Sequence, residues 1–151
     1  MTDRASRLLI ALVVLLLAAG CEADGPWVEV AGKRYQVEIA ADDASRARGL
    51  MFVDSMADDA GMLFLWRTAE PRSFWMRNTR IPLDILYIGA DRTIVSWSLD
   101  TPPCRTRRCP SYPSGAPAKY VLEVNGGQME TLGAKIGDKV VFGNVPGEAD
   151  G

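Results

Sequence analysis

Short segments of alternating apolar and polar residues, separated by turns, run through most of this 151-residue sequence. A period of two residues is typical of β-strands with one buried face, and no segment carries the period of a long helix. The first two such segments, 27–31 and 34–40, flank a turn at Gly32-Lys33, which predicts a hairpin. The pattern as a whole predicts a mainly β fold, either a small antiparallel β-barrel or a sandwich-like domain.

The predicted fold includes one short helix. Residues 44–47 follow Asp42 and Asp43, either of which can cap a helix, and Gly49 suits the residue that ends it. Residues 61–66 are apolar at both odd and even positions, as in a central strand covered on both faces. Further strands are predicted at 73–77, 83–88, 92–99, 119–125 and 139–142, and a helical turn at 128–132.

The N-terminus has the regions of a secretory signal. Arg4 and Arg7 precede an unbroken apolar run over residues 8–19. As a helix this run would rise only about 18 Å, which is too short for a hydrocarbon core of roughly 30 Å. We therefore expect residues 1–20 to be a signal peptide.

The end of this segment, 17–21, resembles the lipobox of bacterial lipoproteins, in which the cysteine becomes the lipidated first residue after cleavage. This resemblance implies that Cys21 carries lipid, that 21–26 form a tether, and that the protein is anchored at the cell envelope, on the periplasmic face in a Gram-negative cell. Acyl chains of this kind anchor a protein permanently. Ala18 and Gly20 also suit ordinary signal peptidase, which would release a soluble protein.

Charge and composition exclude several functions. Residues 1–20 hold Asp3, Arg4 and Arg7, so the remainder has 18 acidic residues (19 minus 1) and 15 basic ones (17 minus 2). This negative balance argues against nucleic acid as a partner. The chain has no histidine, which excludes serine-histidine and cysteine-histidine nucleophiles. We expect no metal and no cofactor.

Cys104 and Cys109 are predicted to form a disulfide, since an exported chain meets an oxidising compartment. Closing this six-residue loop would stabilise the fold by about 2 kcal/mol, chiefly by restricting the unfolded chain. An alternative is a redox role, because Arg105, Arg107 and Arg108 should lower the thiol pKa values.

Seven short motifs follow one another in a fixed order along the chain. They are 48–51 (RGLM), 61–64 (GMLF), 74–79 (FWMRNT), 81–84 (IPLD), 110–113 (PSYP), 120–126 (YVLEVNG) and 137–138 (GD). Together they resemble the family called domain of unknown function 192. The resemblance covers residues 34–142 and implies a small, mostly β protein, often exported, without an established activity. We expect one β-rich domain over 27–143, followed by a disordered tail over 144–151.

Two carboxylates are candidate functional groups. Strand parity places Asp84 on an apolar stripe, where a buried carboxylate needs a partner, and Arg48 is the predicted one. Glu123 shares a strand face with Asn125 and leads into the glycines at 126–127, where backbone can approach a ligand closely. This combination suits a hydroxyl-rich ligand. A structural ion pair at Asp84 is the alternative.

Aromatic and basic residues cluster near the middle of the sequence. Trp75 shares a strand face with Ser73 and Arg77 and is therefore expected to be partly exposed, able to stack on a sugar or a partner. Asn78 follows in the adjacent turn. The region is locally basic, through Arg67, Arg72, Arg77 and Arg80.

These features predict a non-catalytic envelope module that binds a small molecule, a glycan or a protein. Two alternatives remain open from sequence: a hydrolase working through Asp84 and Glu123, and a redox role for Cys104 and Cys109. The candidate binding residues are Arg48, Trp75, Asn78, Asp84, Glu123 and Asn125.

Overall fold

The computed structural model describes residues 25–148. The predicted signal peptide and Cys21 lie outside these residues. None of the helices in the described segment has the length and apolar character needed to cross a membrane. The elements are β1 (Trp27–Val30), β2 (Lys33–Ala40), α1 (Asp43–Arg48), β3 (Ala60–Trp75), β4 (Leu83–Ile88), β5 (Ile94–Thr101), β6 (Ser111–Asn125), α2 (Gln128–Leu132) and β7 (Val140–Gly143).

The strands form one curled sheet with the order β5-β4-β6-β3-β2-β1-β7. The curl brings the two edges together, because Thr93 and Lys139 form an antiparallel bridge. The Ile94 amide also donates to the Asp138 carbonyl, at 3.0 Å. The fold is therefore mainly β, as predicted, and it is barrel-like rather than a sandwich of two sheets.

The predicted hairpin is confirmed. β1 and β2 pair in antiparallel register from Trp27 opposite Gln36 to Val30 opposite Lys33. The turn residues are Ala31 and Gly32, with φ values of 49° and 80°. The turn therefore begins one residue earlier than predicted, and both of its residues adopt the left-handed conformation that matches the twist of a two-residue hairpin.

The expectation of a purely antiparallel sheet is wrong at one position. β2 and β3 pair in parallel, with Gln36 opposite Ala60 and Ala40 opposite Phe64. Parallel neighbours need a long crossover, and residues 41–59 provide it, with α1 at its start. A strand shows the same alternation of apolar and polar residues whether its neighbour is parallel or antiparallel. The sequence pattern therefore did not indicate the parallel pair.

The short helix is confirmed at α1. Asp42 is its N-cap and accepts from the Ser45 amide at 2.9 Å, while the Ser45 hydroxyl accepts from the Asp42 amide, which completes a capping box. Gly49 ends the helix with φ 47°. These caps are needed because α1 buries none of its residues.

Two strands are longer than the sequence indicated. The segments 61–66 and 73–77 were expected to be separate strands, but β3 continues from Ala60 to Trp75 with irregular pairing between them. β6 begins at Ser111, although Pro113 and Pro117 lie within it. The prolines are tolerated because the first half of β6 pairs only with β3. The other side of its backbone has no neighbouring strand, so it needs no N–H donors there.

Both faces of the sheet carry a hydrophobic cluster. We call the cluster enclosed by the curl the inner core and the cluster on the convex side the outer core. All six residues of β4 are buried because they alternate between these two cores. The inner core includes Val28, Tyr35, Leu63, Leu86, Leu122 and Phe142. The outer core includes Met62, Phe64, Ile85, Tyr87 and Val121.

The predicted disorder of the tail is wrong for residues 144–148. Val145 is 3% exposed and packs in the inner core. Glu148 accepts hydrogen bonds from Lys119 Nζ at 3.0 Å and from the Tyr120 hydroxyl at 2.7 Å. Val145 is a single apolar residue in this segment, so the sequence pattern did not indicate its packing. Residues 149–151 lie outside the described segment.

The predicted pairing of Cys104 with Cys109 is confirmed, with their Cα atoms 5.6 Å apart. The loop that they close is also tied to the chain after β3. Cys104 forms a bridge with Arg77, and its amide donates to the Met76 carbonyl at 3.2 Å. The loop therefore has a fixed position beside the end of β3.

Candidate functional site

Glu123 lies near the end of β6, in the middle of the sheet. It is opposite Ile85 of β4 on one side and Met62 of β3 on the other. Ile85 and Met62 belong to the outer core, so the Glu123 side chain points to the convex face. Only 4% of the residue is exposed.

The Glu123 carboxyl has no hydrogen-bond partner within residues 25–148. Burial alone raises its pKa to about 8, without any contribution from a neighbouring charge or hydrogen bond. The nearby Tyr87 hydroxyl does not compensate, because it donates to the Tyr112 carbonyl. Burial raises the pKa of Tyr87 as well, and the proximity of Glu123 adds to that rise. No side-chain polar atom of residues 25–148 is both fully shielded from solvent and without a hydrogen-bond partner, so the Glu123 oxygens retain a small contact with solvent. A nearly buried carboxyl with no partner from the described residues is still unusual.

A narrow pocket leads from the surface to Glu123. Its volume is about 30 Å³, roughly two to three times the smallest space that holds one water molecule, which is about 10–15 Å³. Phe64 and Thr79 form part of its wall, and Arg48 and Trp75 stand at its rim. The pocket can therefore admit a single small polar group, such as one hydroxyl, to the buried carboxyl.

Gly49, the residue that ends α1, covers the pocket. A Cβ atom at this position would lie 3.3 Å from the Phe64 ring and 3.9 Å from Glu123 Oε2. The positive φ of Gly49 also disfavours any other residue. The end of the helix is thus held directly over the carboxyl, and a side chain at position 49 would narrow the entrance.

The rim combines an aromatic surface with positive charge. Trp75 is 49% exposed, as strand parity predicted. The Arg77 guanidinium lies 5.0 Å from the centre of the Trp75 ring, so its charge is held over the ring rather than against Glu123. Arg48 is exposed at the end of α1. The positive charge therefore faces solvent, while the pocket interior is nearly neutral.

Asp84 has a different role. Its carboxylate accepts three backbone hydrogen bonds, from Asp100 at 2.7 Å, Gly127 at 2.9 Å and Met129 at 2.8 Å. The last two amides belong to the start of α2, so Asp84 holds this short helix and the end of β5 to the start of β4. The predicted pairing of Asp84 with Arg48 is wrong, because backbone amides satisfy the carboxylate instead.

The two candidate carboxylates lie on opposite faces of the sheet. Asp84 is opposite Val124 of β6, and Glu123 is opposite Ile85 of β4. Adjacent positions on a strand point to opposite sides. A glycoside hydrolase needs its two carboxyl groups on either side of one bond, so the predicted pairing of Asp84 with Glu123 in a hydrolase does not fit this geometry.

The two asparagines stabilise loops. Asn125 Nδ2 donates to the Met56 carbonyl at 2.9 Å, which fixes the crossover between α1 and β3. Asn78 has a positive φ of 56°, and its carbonyl accepts from the Phe52 amide at 2.8 Å. Of the predicted binding residues, the structure therefore brings Arg48, Trp75 and Glu123 together and leaves Asn78, Asp84 and Asn125 outside the pocket.

Comparison with protein families gives a match over residues 27–142 to the model of DUF192, described as an uncharacterised ACR. This chain belongs to the DUF192 family. The match confirms the resemblance found in the motifs and extends it to the start of β1. No curated protein shows a significant match to the chain.

Two solved structures resemble this DUF192 domain. A protein of unknown function from Novosphingobium aromaticivorans is 36% identical, with a TM-score of 0.69, over 82% of this chain and 90% of that one. A candidate transcription regulator from Sinorhizobium meliloti is 33% identical, with a TM-score of 0.72, over 83% of this chain and all of that one. These similarities support the fold and leave its activity open.

Several residues of the DUF192 pocket were not singled out from the sequence. Gly49 was interpreted only as a helix stop and Thr79 only as part of a turn, although both lie within the family motifs. Their role depends on which loop packs against the convex face, which strand parity does not specify. Within the described segment, no three side chains of the usual metal-ligating types converge.

Proposed function

We propose that this DUF192 domain is a non-catalytic glycan-binding module of the cell envelope. One sugar hydroxyl enters the pocket and bonds to Glu123, while the sugar ring contacts Trp75 at the rim. The observation that carries this proposal is the buried Glu123 carboxyl, which has no hydrogen-bond partner in the described part of the chain and faces a narrow pocket.

The protonation of Glu123 favours a hydroxyl over an ion. With its pKa raised to about 8 by burial, the carboxyl is largely protonated at pH 7. A protonated carboxyl donates one hydrogen bond and accepts another, and a sugar hydroxyl offers the complementary pair. Binding would therefore give this carboxyl hydrogen bonds that the described part of the chain does not supply, and ligands without a hydroxyl could not do so.

Trp75 supplies the second part of the interaction. Large exposed hydrophobic side chains are few in residues 25–148: they are Phe52, Trp75 and Ile136. Trp75 is the one that borders the Glu123 pocket. An indole ring offers a flat apolar surface with little conformational entropy to lose, and such surfaces suit the apolar face of a sugar.

The expected location agrees with this role. A signal peptide over residues 1–20 and lipid on Cys21 would place the domain outside the cytoplasm and next to envelope polysaccharides. We propose that the anchor fixes the domain at the membrane while the Glu123 pocket holds the glycan.

The proposal can be tested with the purified mature protein and a panel of envelope oligosaccharides. A ligand that binds only the folded state raises the melting temperature. We expect Glu123→Ala and Trp75→Ala to lower glycan affinity at least tenfold. Ile136→Ala, an exposed apolar residue in the turn before β7, is the matched control and should bind like the wild type. Failure of every glycan to bind, or unchanged affinity in both site variants, would contradict the proposal.

A further inference from the structure

Arginines without an acidic partner are concentrated on one side of the domain. Arg80 pairs with Asp54, at 2.7 Å. Five other arginines near the pocket and in the disulfide loop have no carboxylate within 4.0 Å in the described part of the chain. They are Arg48, Arg77, Arg105, Arg107 and Arg108.

The disulfide loop borders grooves that continue from the Glu123 pocket. Trp75 lines the pocket and also a groove of about 250 Å³ that reaches Cys109. Thr79 lines the pocket and also a groove of about 350 Å³ that reaches Cys104 and Arg105. A chain-like ligand with one residue at the pocket would therefore extend along the loop on either side.

The backbone of the disulfide loop is held in a fixed shape. The disulfide closes it, and the Thr106 hydroxyl donates to the Arg108 carbonyl at 2.8 Å. Residues 105–108 are exposed, so their guanidinium groups are accessible. Ordering the backbone before binding lowers the entropy cost of binding, and guanidinium groups bind carboxylates and phosphates through paired hydrogen bonds.

We infer that the glycan of the proposed site is an anionic polysaccharide whose acidic groups are bound by Arg105, Arg107 and Arg108, while a hydroxyl of one of its sugars enters the pocket at Glu123 and the ring of that sugar contacts Trp75. This inference rests on the proposed function and names the ligand class. The whole chain carries a formal charge of −2, so an acidic polymer is attracted to this side and repelled elsewhere, which orients it.

The test compares oligogalacturonate and oligoalginate with their methyl esters, because esterification removes the charge and leaves the sugar chain unchanged. We expect the wild-type protein to bind the acids about tenfold more tightly than the esters. The preference should shrink between 50 and 300 mM salt, since screening weakens exposed charge pairs. Calorimetric titration measures both affinities.

Three variants distinguish the glycan site at Glu123 from the recognition of acidic groups by the loop arginines. The triple variant Arg105→Gln, Arg107→Gln, Arg108→Gln should lose the preference for the acids and keep the wild-type affinity for the esters. Glu123→Ala should weaken binding of both. Arg67→Gln removes an exposed arginine that also lacks a carboxylate partner but lies in a different cavity, and it should behave like the wild type.

Each outcome has a distinct meaning. Equal wild-type affinity for acids and esters would overturn the inference and leave the glycan site standing. Binding of neither form would overturn the inference, and it would contradict the glycan site as well if every oligosaccharide of the envelope panel also failed to bind. Arginine-dependent binding to phosphatidylglycerol vesicles, without binding to any glycan, would show that the surface meets lipid headgroups and would also overturn the inference.

Discussion

Two buried carboxylates on neighbouring strands illustrate opposite uses of the same chemical group. Asp84 is completely buried and receives three backbone amide hydrogens, which offset its desolvation. Glu123 is almost as buried and receives none in the described part of the chain. The first arrangement stabilises the fold. The second costs stability, which is the usual sign of a group retained for binding or chemistry.

Glu123 should make the stability of the domain depend on pH. Its pKa rises from 4.5 to about 8 in the folded state, so between these values the folded protein holds a proton that the unfolded chain has lost. The free energy of unfolding that depends on this proton is therefore highest below pH 4.5, and it falls as the pH rises through 8. The total loss is at most roughly 5 kcal/mol. Urea unfolding at pH 5 and pH 9 measures it.

Glu123→Gln should remove this dependence, because the amide stays neutral throughout. Glu38→Gln, an exposed glutamate on β2, is the matched control and should keep the wild-type pH profile. If the wild type and Glu123→Gln declined in parallel, Glu123 would be ionising like an exposed carboxyl.

Asp84→Asn should destabilise the domain without weakening ligand binding. The side-chain amide of asparagine keeps one acceptor oxygen and replaces the other with an NH₂ donor. This donor would face a backbone N–H group that now donates to the Asp84 carboxylate. We expect a loss of about 3 kcal/mol in the free energy of unfolding. Asp59→Asn, in an exposed position of the crossover, should change it by less than about 0.5 kcal/mol. Lost glycan binding in a folded Asp84→Asn protein would contradict the structural role.

At the scale of secondary structure, local sequence patterns predicted individual strands and helices, but they did not predict which distant strands pair. The hairpin of β1 and β2 and the caps of α1 follow from residues within a few positions of each other. The parallel pairing of β2 with β3 depends on how residues 41–59 cross the sheet. The full length of β6 was hidden by its prolines, which are acceptable only where the strand lacks a second neighbour.

Ala31→Asn should stabilise the hairpin. Ala31 adopts φ 49°, which is unfavourable for alanine and well tolerated by asparagine, and Asn-Gly is the preferred pair for this turn. The gain should be up to about 1 kcal/mol, seen as a rise of a few degrees in melting temperature. Ala41→Asn, an exposed alanine outside the positive-φ set, should give no gain. A decrease for Ala31→Asn would contradict this interpretation of the turn.

The disulfide should contribute stability as well as fixing the arginine loop. Replacing both Cys104 and Cys109 by alanine should cost about 2 kcal/mol in the free energy of unfolding. Reductant should produce the same loss in the wild type and none in the double variant. Wild-type stability that does not respond to full reduction would argue against a bracing role.

At the scale of the whole molecule, closure of the sheet and packing of its last residues depend on distant contacts. Both Val145 and Glu148 follow β7, but Val145 packs in the inner core and Glu148 accepts hydrogen bonds from two residues of β6. No local pattern could predict these contacts. Only part of the site was predicted, because the rest of it also depends on contacts between distant segments. Trp75 and Glu123 follow from strand parity, whereas the cover at Gly49 depends on the long crossover that carries α1 onto the convex face.

The proposed lipid anchor can be tested in cells. The wild-type protein should partition into the detergent phase of Triton X-114, because acyl chains on Cys21 dominate its affinity for micelles. Cys21→Ser should move it to the aqueous phase, and Ala23→Ser should leave the partition unchanged. A wild-type protein found only in the aqueous phase would contradict lipidation.

The separation of the two sheet faces has a practical consequence for engineering. The side chains that hold the curl together point inward. The pocket and its adjoining grooves lie on the other side, where the end of α1, the end of β3 and the disulfide loop form their rim. Randomised libraries at rim positions should therefore yield new specificities without repacking the interior. The domain would then serve as a scaffold onto which recognition of other polymers is grafted.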